Sequence, residues 1–456
     1  MTKNKIPLPG GVANRASLAT SAGVVNNFHK FTTSILLTLT LTLTACTSPP
    51  PTDTATPEPT PQITTTPPTD NTRQIDNITK NPVSLIESDG TFISAMANFS
   101  IDLFKRSIEE KENSLISPLS VMLALAMTAN GADNETLTQM ENVLGGGIPL
   151  NELNKYLYSY VHGLPSEEKA KLLIANSIWL RDDEGRLNVE PDFLQTNADY
   201  YDTAVFRAAF DEQTVKDINE WVKQNTDGMI EKLLDTIDNA KMLYLINAVM
   251  FDAEWENKYD SQFNVREGDF TNINGVKQTA QFMRSREHTY VDDGKAKGVV
   301  KPYIGEYSFV AMLPNEGITL ASYIESLTGN GFISMLNQAQ SSFGDIEAFI
   351  PKFEYEYKIE MNDALKELGM PIAFDQTNAD FYRMGSSSDG PLYIGDVLHK
   401  TYIAVNESGT RAGAVTSVSI EAQSMPPQLR FDRPFIFAII DDTTNLPIFI
   451  GTLVTL

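Results

Sequence analysis

Two periods of apolar residues organise the chain from about Val83 to its end. In GTFISAMANFSIDLFKRSIEE the apolar positions Phe92, Ala95, Met96, Phe99 and Phe104 fall near one face, which predicts a helix. SPLSVMLALAMTANGA follows, with Ser117 placed to cap, Pro118 in the first turn and Gly131 near the stop, and predicts a second helix. INEWVKQNTDGMIEKLL reads as a further helix pair or turn. KMLYLINAVMF, YSFVAMLP, EAFIPKF, TYIAV, PFIFAII and LPIFIGTLV read as strands, several of them apolar without interruption. Helices come first and strands dominate late. That order predicts an α+β domain, residues 83–456, built around a large sheet.

One stretch does not settle into either class. From Glu407 to Pro427 the chain reads ESGTRAGAVTSVSIEAQSMPP. Thr410, Ala412, Ala414, Thr416, Val418 and Ile420 share one parity and carry no charge. From Arg411 to Glu421 the other parity holds both charges, Arg411 and Glu421. One face could be buried, yet the first half is made of small residues with too little apolar area to anchor a strand.

Ahead of the domain the composition changes twice. Residues 46–82 are read as a tether, because TSPPPTDTATPEPTPQITTTPPTDNT is rich in Pro and Thr and holds almost no large apolar residue. Residues 1–45 are read as a secretory signal. Lys3, Lys5, Arg15 and Lys30 are its charged residues, and a short apolar run ends in Leu43-Thr44-Ala45-Cys46. That ending resembles the bacterial lipoprotein signal, in which the cysteine is acylated and becomes the new N-terminus. It implies lipid attachment at Cys46 and a domain held outside the cytoplasm on the cell envelope. Cys46 is the chain's one cysteine, so no internal disulfide can form. The formal net charge of −24 argues against a nucleic-acid partner, which would need clustered Lys and Arg. It fits a soluble, self-repelling surface.

Motifs of catalysis are missing from the sequence. There is no His-Glu-x-x-His, no Gly-x-Ser-x-Gly, no phosphate-binding glycine loop and no cysteine pair. No enzyme activity, cofactor or metal is expected.

Ordered pieces across residues 86–456 resemble the serpins. NSLISPLSVMLALAMTANGADNETLTQM, LLIANSIWL, INEWVKQNTDGMIEKL, LINAVMFDAEWENKY, KPYIGEYSFVAMLP, IPKF, LGMPIAF, LHKTYIAVNESGT and LRFDRPFIFAI stand in the order that family shows. The resemblance implies the serpin fold, with helices around a large mixed sheet, smaller sheets and an exposed reactive loop after Glu407 that is not yet a strand. In that family a target protease cuts the loop as substrate. The loop's N-terminal part then inserts into the main sheet while the protease is still acylated, and the fold is held metastable until then. The hinge implied by the resemblance is Glu407, Gly409, Thr410, Ala412, Gly413 and Ala414, and its small residues after Glu407 suit that insertion. Arg411 departs from the family's usual Glu, on the outward parity. Counted along the family's spacing from Glu407, the resemblance implies a cut bond at Gln423–Ser424, with Ala422–Gln423 as the alternative. Gln423 points to a subtilisin-like or cysteine protease, and the alternative bond to an elastase- or subtilisin-like one. The resemblance also implies a sheet-opening cluster of Ser117, Ser120, Asn247 and His399, and places Trp255 where the loop first meets the sheet. A monomer is expected. A non-inhibitory binding module of the same fold is the rival reading.

Overall fold

The computed structural model describes residues 72–75, 78–183, 185–238, 240–410 and 427–456. Seven strands form the central sheet: β1 (Arg73–Gln74), β2 (Ala170–Arg181), β3 (Ala204–Ala208), β4 (Leu243–Glu254), β5 (Phe353–Glu360), β6 (Leu398–Val405) and β7 (Gly409–Thr410). Their spatial order is β1-β3-β2-β4-β7-β6-β5. β2 and β3 run parallel, joined by a crossover through the helix Pro191–Tyr201; the other neighbours are antiparallel. A nine-stranded sheet packs behind it, running from Gln428–Arg430 through Gln340–Pro351, Lys277–Asp292, Ala296–Pro302, Tyr307–Pro314, Phe435–Asp441 and Pro447–Leu453 to Ser114–Ile116, with Val265–Thr271 beside Lys277–Asp292. This is the expected α+β architecture of helices around a large mixed sheet.

Two helices fill the space behind the central sheet. In α1 (Gly90–Arg106) the Asp89 carboxylate caps the Thr91 and Phe92 amides, and Phe92, Met96, Phe99 and Phe104 are buried. α2 (Pro118–Ala129) starts on the Ser117 hydroxyl, which accepts from the Ser120 amide, with Pro118 in its first turn. α2 is buried on nearly all sides, between β4 and the strand Pro447–Leu453, which is why its sequence is apolar around the whole circumference. On the sheet's other face lies α3 (Glu212–Asn225), started by a capping box on Asp211 and Thr214. Trp221, Ile218 and Val222 of α3 close over Trp179 and Phe206, which stack at 4.4 Å. The chain after α3 continues in turns, so INEWVKQNTDGMIEKLL holds one helix end and an irregular return.

The tether reading is corrected at its C-terminal end. Gln74 pairs with Phe206 in β3, and the Ile75 amide donates to Val205 O at 2.9 Å. The buried Thr72 hydroxyl donates to Asp217 of α3 at 2.5 Å. Asn81 donates twice to the Asp199 carboxylate and Lys80 pairs with Asp202. Composition suggested an extended linker here, but backbone pairing at an open sheet edge needs no apolar side chains.

Candidate functional site

β6 leaves the sheet at Val405 and comes straight back. Asn406 makes the reversal, its side-chain oxygen accepting from the Ser408 amide at 2.8 Å and its amide donating to Gly409 O. Gly409 and Thr410 then enter the sheet as β7, with Thr410 across from Val405 on one side and Ala253 on the other. Ser408, Gly409 and Thr410 are all buried. The expectation that the loop leaves the sheet directly after Glu407 is therefore corrected. A short turn followed by small residues lets its first residues fit between β4 and β6.

Contacts from three neighbouring segments hold this loop root. The Trp255 indole N–H donates to Asn406 O at 2.8 Å and its amide to Ser408 O at 2.9 Å. The Tyr259 amide donates to Glu407 O at 2.9 Å. Tyr303 stacks on Trp255 at 4.2 Å and its hydroxyl meets Thr410 Oγ1 at 2.5 Å. Lys352 pairs with the Glu407 carboxylate at 2.9 Å. Burial alone would raise that carboxyl, but the Lys352 ammonium holds it below the usual range.

Gly409 is required for its size. A Cβ there would stand 2.0 Å from Ala253 O. Its φ is not positive, so close approach rather than backbone freedom explains the residue. Gly409→Ala should push the root out of the sheet at a cost of about 1–3 kcal/mol. Limited proteolysis between Glu407 and Thr410 checks it: wild-type resistance in the variant would show that the close approach does not matter.

Among the described residues the sheet is split past Thr410. Among the described residues no strand lies between 243–252 of β4 and 398–404 of β6. A cavity of about 480 Å³ follows the split, lined by Asn247, Val249, Leu398 and His399 at the strands and by Ser117, Ser120 and Val121 of α2's first turn. His399 Nε2 accepts from the Ser117 amide at 3.0 Å, so the proton of the neutral ring sits on Nδ1. Burial pushes this imidazole down to about 4. Asn247 does not join that bond. Its NH₂ donates to Asn176 of β2 at 2.7 Å, and its buried side-chain oxygen has no partner. Ser117, Ser120, Asn247 and His399 thus line one cavity, but only the first two and His399 are linked by hydrogen bonds.

A model of the Serpin (serine protease inhibitor) family matches residues 94–456. The chain belongs to the serpin family. Serpin B8 of Homo sapiens is 31% identical over 390 residues, spanning 80% of this chain and 98% of that protein. The crystal structure of the thermophilic serpin tengpin in its native state superposes with a TM-score of 0.81 at 54% identity, covering 85% of this chain and 100% of that one. Tengpin in its latent state gives 0.74 at 54% identity, with 82% and 100% covered. Serpins act mostly as inhibitors of proteases rather than as catalysts, so a protease is the partner class this membership supports.

Of the sequence-derived serpin residues, the structure gathers Glu407, Gly409, Thr410 and Trp255 at the loop root. Ser117, Ser120, Asn247 and His399 lie along the cavity. Ala412, Gly413, Ala414, Ala422, Gln423, Ser424 and Cys46 lie outside the described residues. Sequence reasoning missed Lys352, Tyr303 and Asn176 as partners. Lys352 and Tyr303 do lie in the family-like pieces IPKF and KPYIGEYSFVAMLP, but nothing local ties them to residue 407 or 410.

Proposed function

We propose that this serpin is a suicide-substrate inhibitor of serine endopeptidases, with cysteine endopeptidases as a second target class. The observation that carries the reading is the split sheet with Gly409 and Thr410 already seated at its top. Register supports the rest of the reading. Thr410 stands across from both Ala253 and Val405. Continuing both antiparallel pairings brings Ala412 between Phe251 and Ile403, Ala414 between Val249 and Thr401, and Thr416 between Asn247 and His399. The partnerless oxygen of Asn247 would then meet a hydroxyl donor. On the outward face Arg411 would stand across from Asp252, an opposite-charge pair that suits the unusual arginine.

The chemistry follows from the loop's position. The protease's serine Oγ or cysteine Sγ adds to the Gln423 carbonyl. The Gln423–Ser424 bond breaks, Ser424 leaves as the amine, and an acyl ester or thioester joins Gln423 to the protease. Insertion of residues 411–420, at about 3.3 Å each, carries the attached protease on the order of 30 Å before water can attack. The new strand fills the cavity and completes the ladder, and the free energy released distorts the protease. The lipoprotein-like ending at Cys46 and the Pro/Thr-rich segment support an exported, lipid-anchored form guarding the cell envelope.

The test mixes residues 72–456 with subtilisin-like, elastase-like and papain-like proteases, followed by denaturing gels and mass spectrometry. The expected product is a complex that survives denaturation, with a C-terminal fragment starting at Ser424. A fragment starting at Gln423 would move the bond to Ala422–Gln423 and keep the mechanism. Loop cleavage with no complex and no rise in thermal stability would replace this reading by the binding-module one.

A further inference from the structure

Beneath the loop root lies an ion pair sealed from water. The Lys301 side chain is 2% exposed and that of Glu287 5%, with Nζ 3.1 Å from Oε1. Lys301 comes from the strand Ala296–Pro302 and Glu287 from its neighbour Lys277–Asp292. The ammonium also donates to Asn257 O at 3.1 Å and sits 4.5 Å from the centre of the Tyr259 ring and 5.3 Å from that of Trp255. Glu287 accepts a second bond from the Ser285 hydroxyl at 2.5 Å, and that hydroxyl lies 3.2 Å from Tyr259 Oη.

The segment 255–259 therefore has two sides. One side holds the loop root, through the Trp255 indole to Asn406, the Trp255 amide to Ser408 and the Tyr259 amide to Glu407. Its other side rests on Lys301, which takes up the Asn257 carbonyl and faces both aromatic rings. Apart from Trp255's single bridge to Tyr303, no strand ladder holds this segment among the described residues. A cation desolvated to this degree is costly unless every donor is used, and a buried pair is a poor source of net stability compared with apolar packing. Its geometry, however, fixes where the two rings and one carbonyl must lie, as directional charge-assisted bonds do and apolar contacts do not.

We propose that the buried Lys301–Glu287 pair is a positioning device for the reactive-loop root, holding Trp255 and Tyr259 where they clasp Asn406, Glu407 and Ser408. Its consequence for trapping rests on the inhibitory reading above. A root held in place starts insertion in register, so losing the pair diverts acylated protease to hydrolysis and raises the number of inhibitor molecules consumed per protease trapped.

The experiment compares wild type, Lys301→Arg and the double variant Lys301→Met/Glu287→Leu, each as the full chain. Amide exchange of the 404–410 peptide is read beside the thermal midpoint and the consumption ratio. The double variant should keep its midpoint within a few degrees, exchange at least tenfold faster at 404–410, and consume several-fold more inhibitor per protease. Lys301→Arg should restore both readouts toward wild type. Wild-type exchange at 404–410 in the double variant would overturn the proposal. Should that variant fail to fold, Glu287→Gln, which keeps an acceptor for Lys301, takes its place: faster exchange at 404–410 supports the proposal and wild-type exchange overturns it. Absence of any covalent complex from wild type would sink the inhibitory reading alone, because the exchange measurement stands without a protease.

Discussion

Thr410→Arg is expected to turn the protein from a trap into a substrate. Thr410 is 3% exposed, bonded to Tyr303 and enclosed between β4 and β6. An arginine there must either bury an unpaired guanidinium, at several kcal/mol, or hold the root out of the sheet. On the proposed inhibitory reading, insertion competes with hydrolysis of the acyl bond. A barrier raised by about 3 kcal/mol slows insertion on the order of a hundredfold, so hydrolysis wins. The ratio of covalent complex to cleaved inhibitor on a denaturing gel reads this directly. The complex should fall from the main product to less than about a tenth, with the cleavage site unchanged. The neighbouring Arg411 supplies the control. One residue along a strand points to the opposite face, so in the inserted strand proposed above position 411 would stand across from Asp252 on the outer side. Arg411→Thr should trap far better than Thr410→Arg. Equal complex yields from Thr410→Arg and wild type would mean that the root does not start the strand.

The second large effect is a pH dependence of stability centred on His399. Burial lowers its pKa from 6.5 to about 4 in the native state. Between those values the unfolded chain binds a proton here that the native chain refuses. Stability therefore falls as pH drops from about 6.5 toward about 4, is unaffected above that window and levels off below it. The whole difference is about 3 kcal/mol. The acceptor bond from the Ser117 amide is lost with protonation, so strain concentrates at the head of α2, where the sheet is already split. Denaturant unfolding of wild type and His399→Gln at several pH values separates this group from the many surface carboxylates. The difference between the two proteins should grow across the window in favour of the variant. Parallel stability curves would show that His399 is not the titrating group.

Much of the fold is legible in the residues. Local periodicity suffices for α1, whose apolar face is spaced by the helical period and whose neighbour begins on Ser117 and Pro118. It suffices again for the buried strands Tyr307–Pro314 and Phe435–Asp441, which are apolar apart from Ser308 and Asp441 because both faces are covered. Other elements are not local. Residues 72–82 read as linker because their attachments are backbone pairs and polar bonds to β3 and α3, which leave no apolar trace in sequence. INEWVKQNTDGMIEKLL promises more helix than it keeps, because its second half is drawn over the sheet by burial of Ile230 and Leu234 against the α3 core.

The family-like pieces, their order and the two faces of the 407–427 stretch can all be read from the residues alone. Those are local properties: a parity, a cap, a run of small residues. Four features needed the folded chain. Gly409 and Thr410 already lie in the sheet, and Lys352 meets Glu407. Asn247 turns to Asn176 instead of His399, and a sealed Lys301–Glu287 pair stands under Trp255. Each of these depends on which strands become neighbours across long sequence separations. Pairing of that kind is set by the global packing of two sheets around α2, to which a pattern of period two or 3.6 is blind.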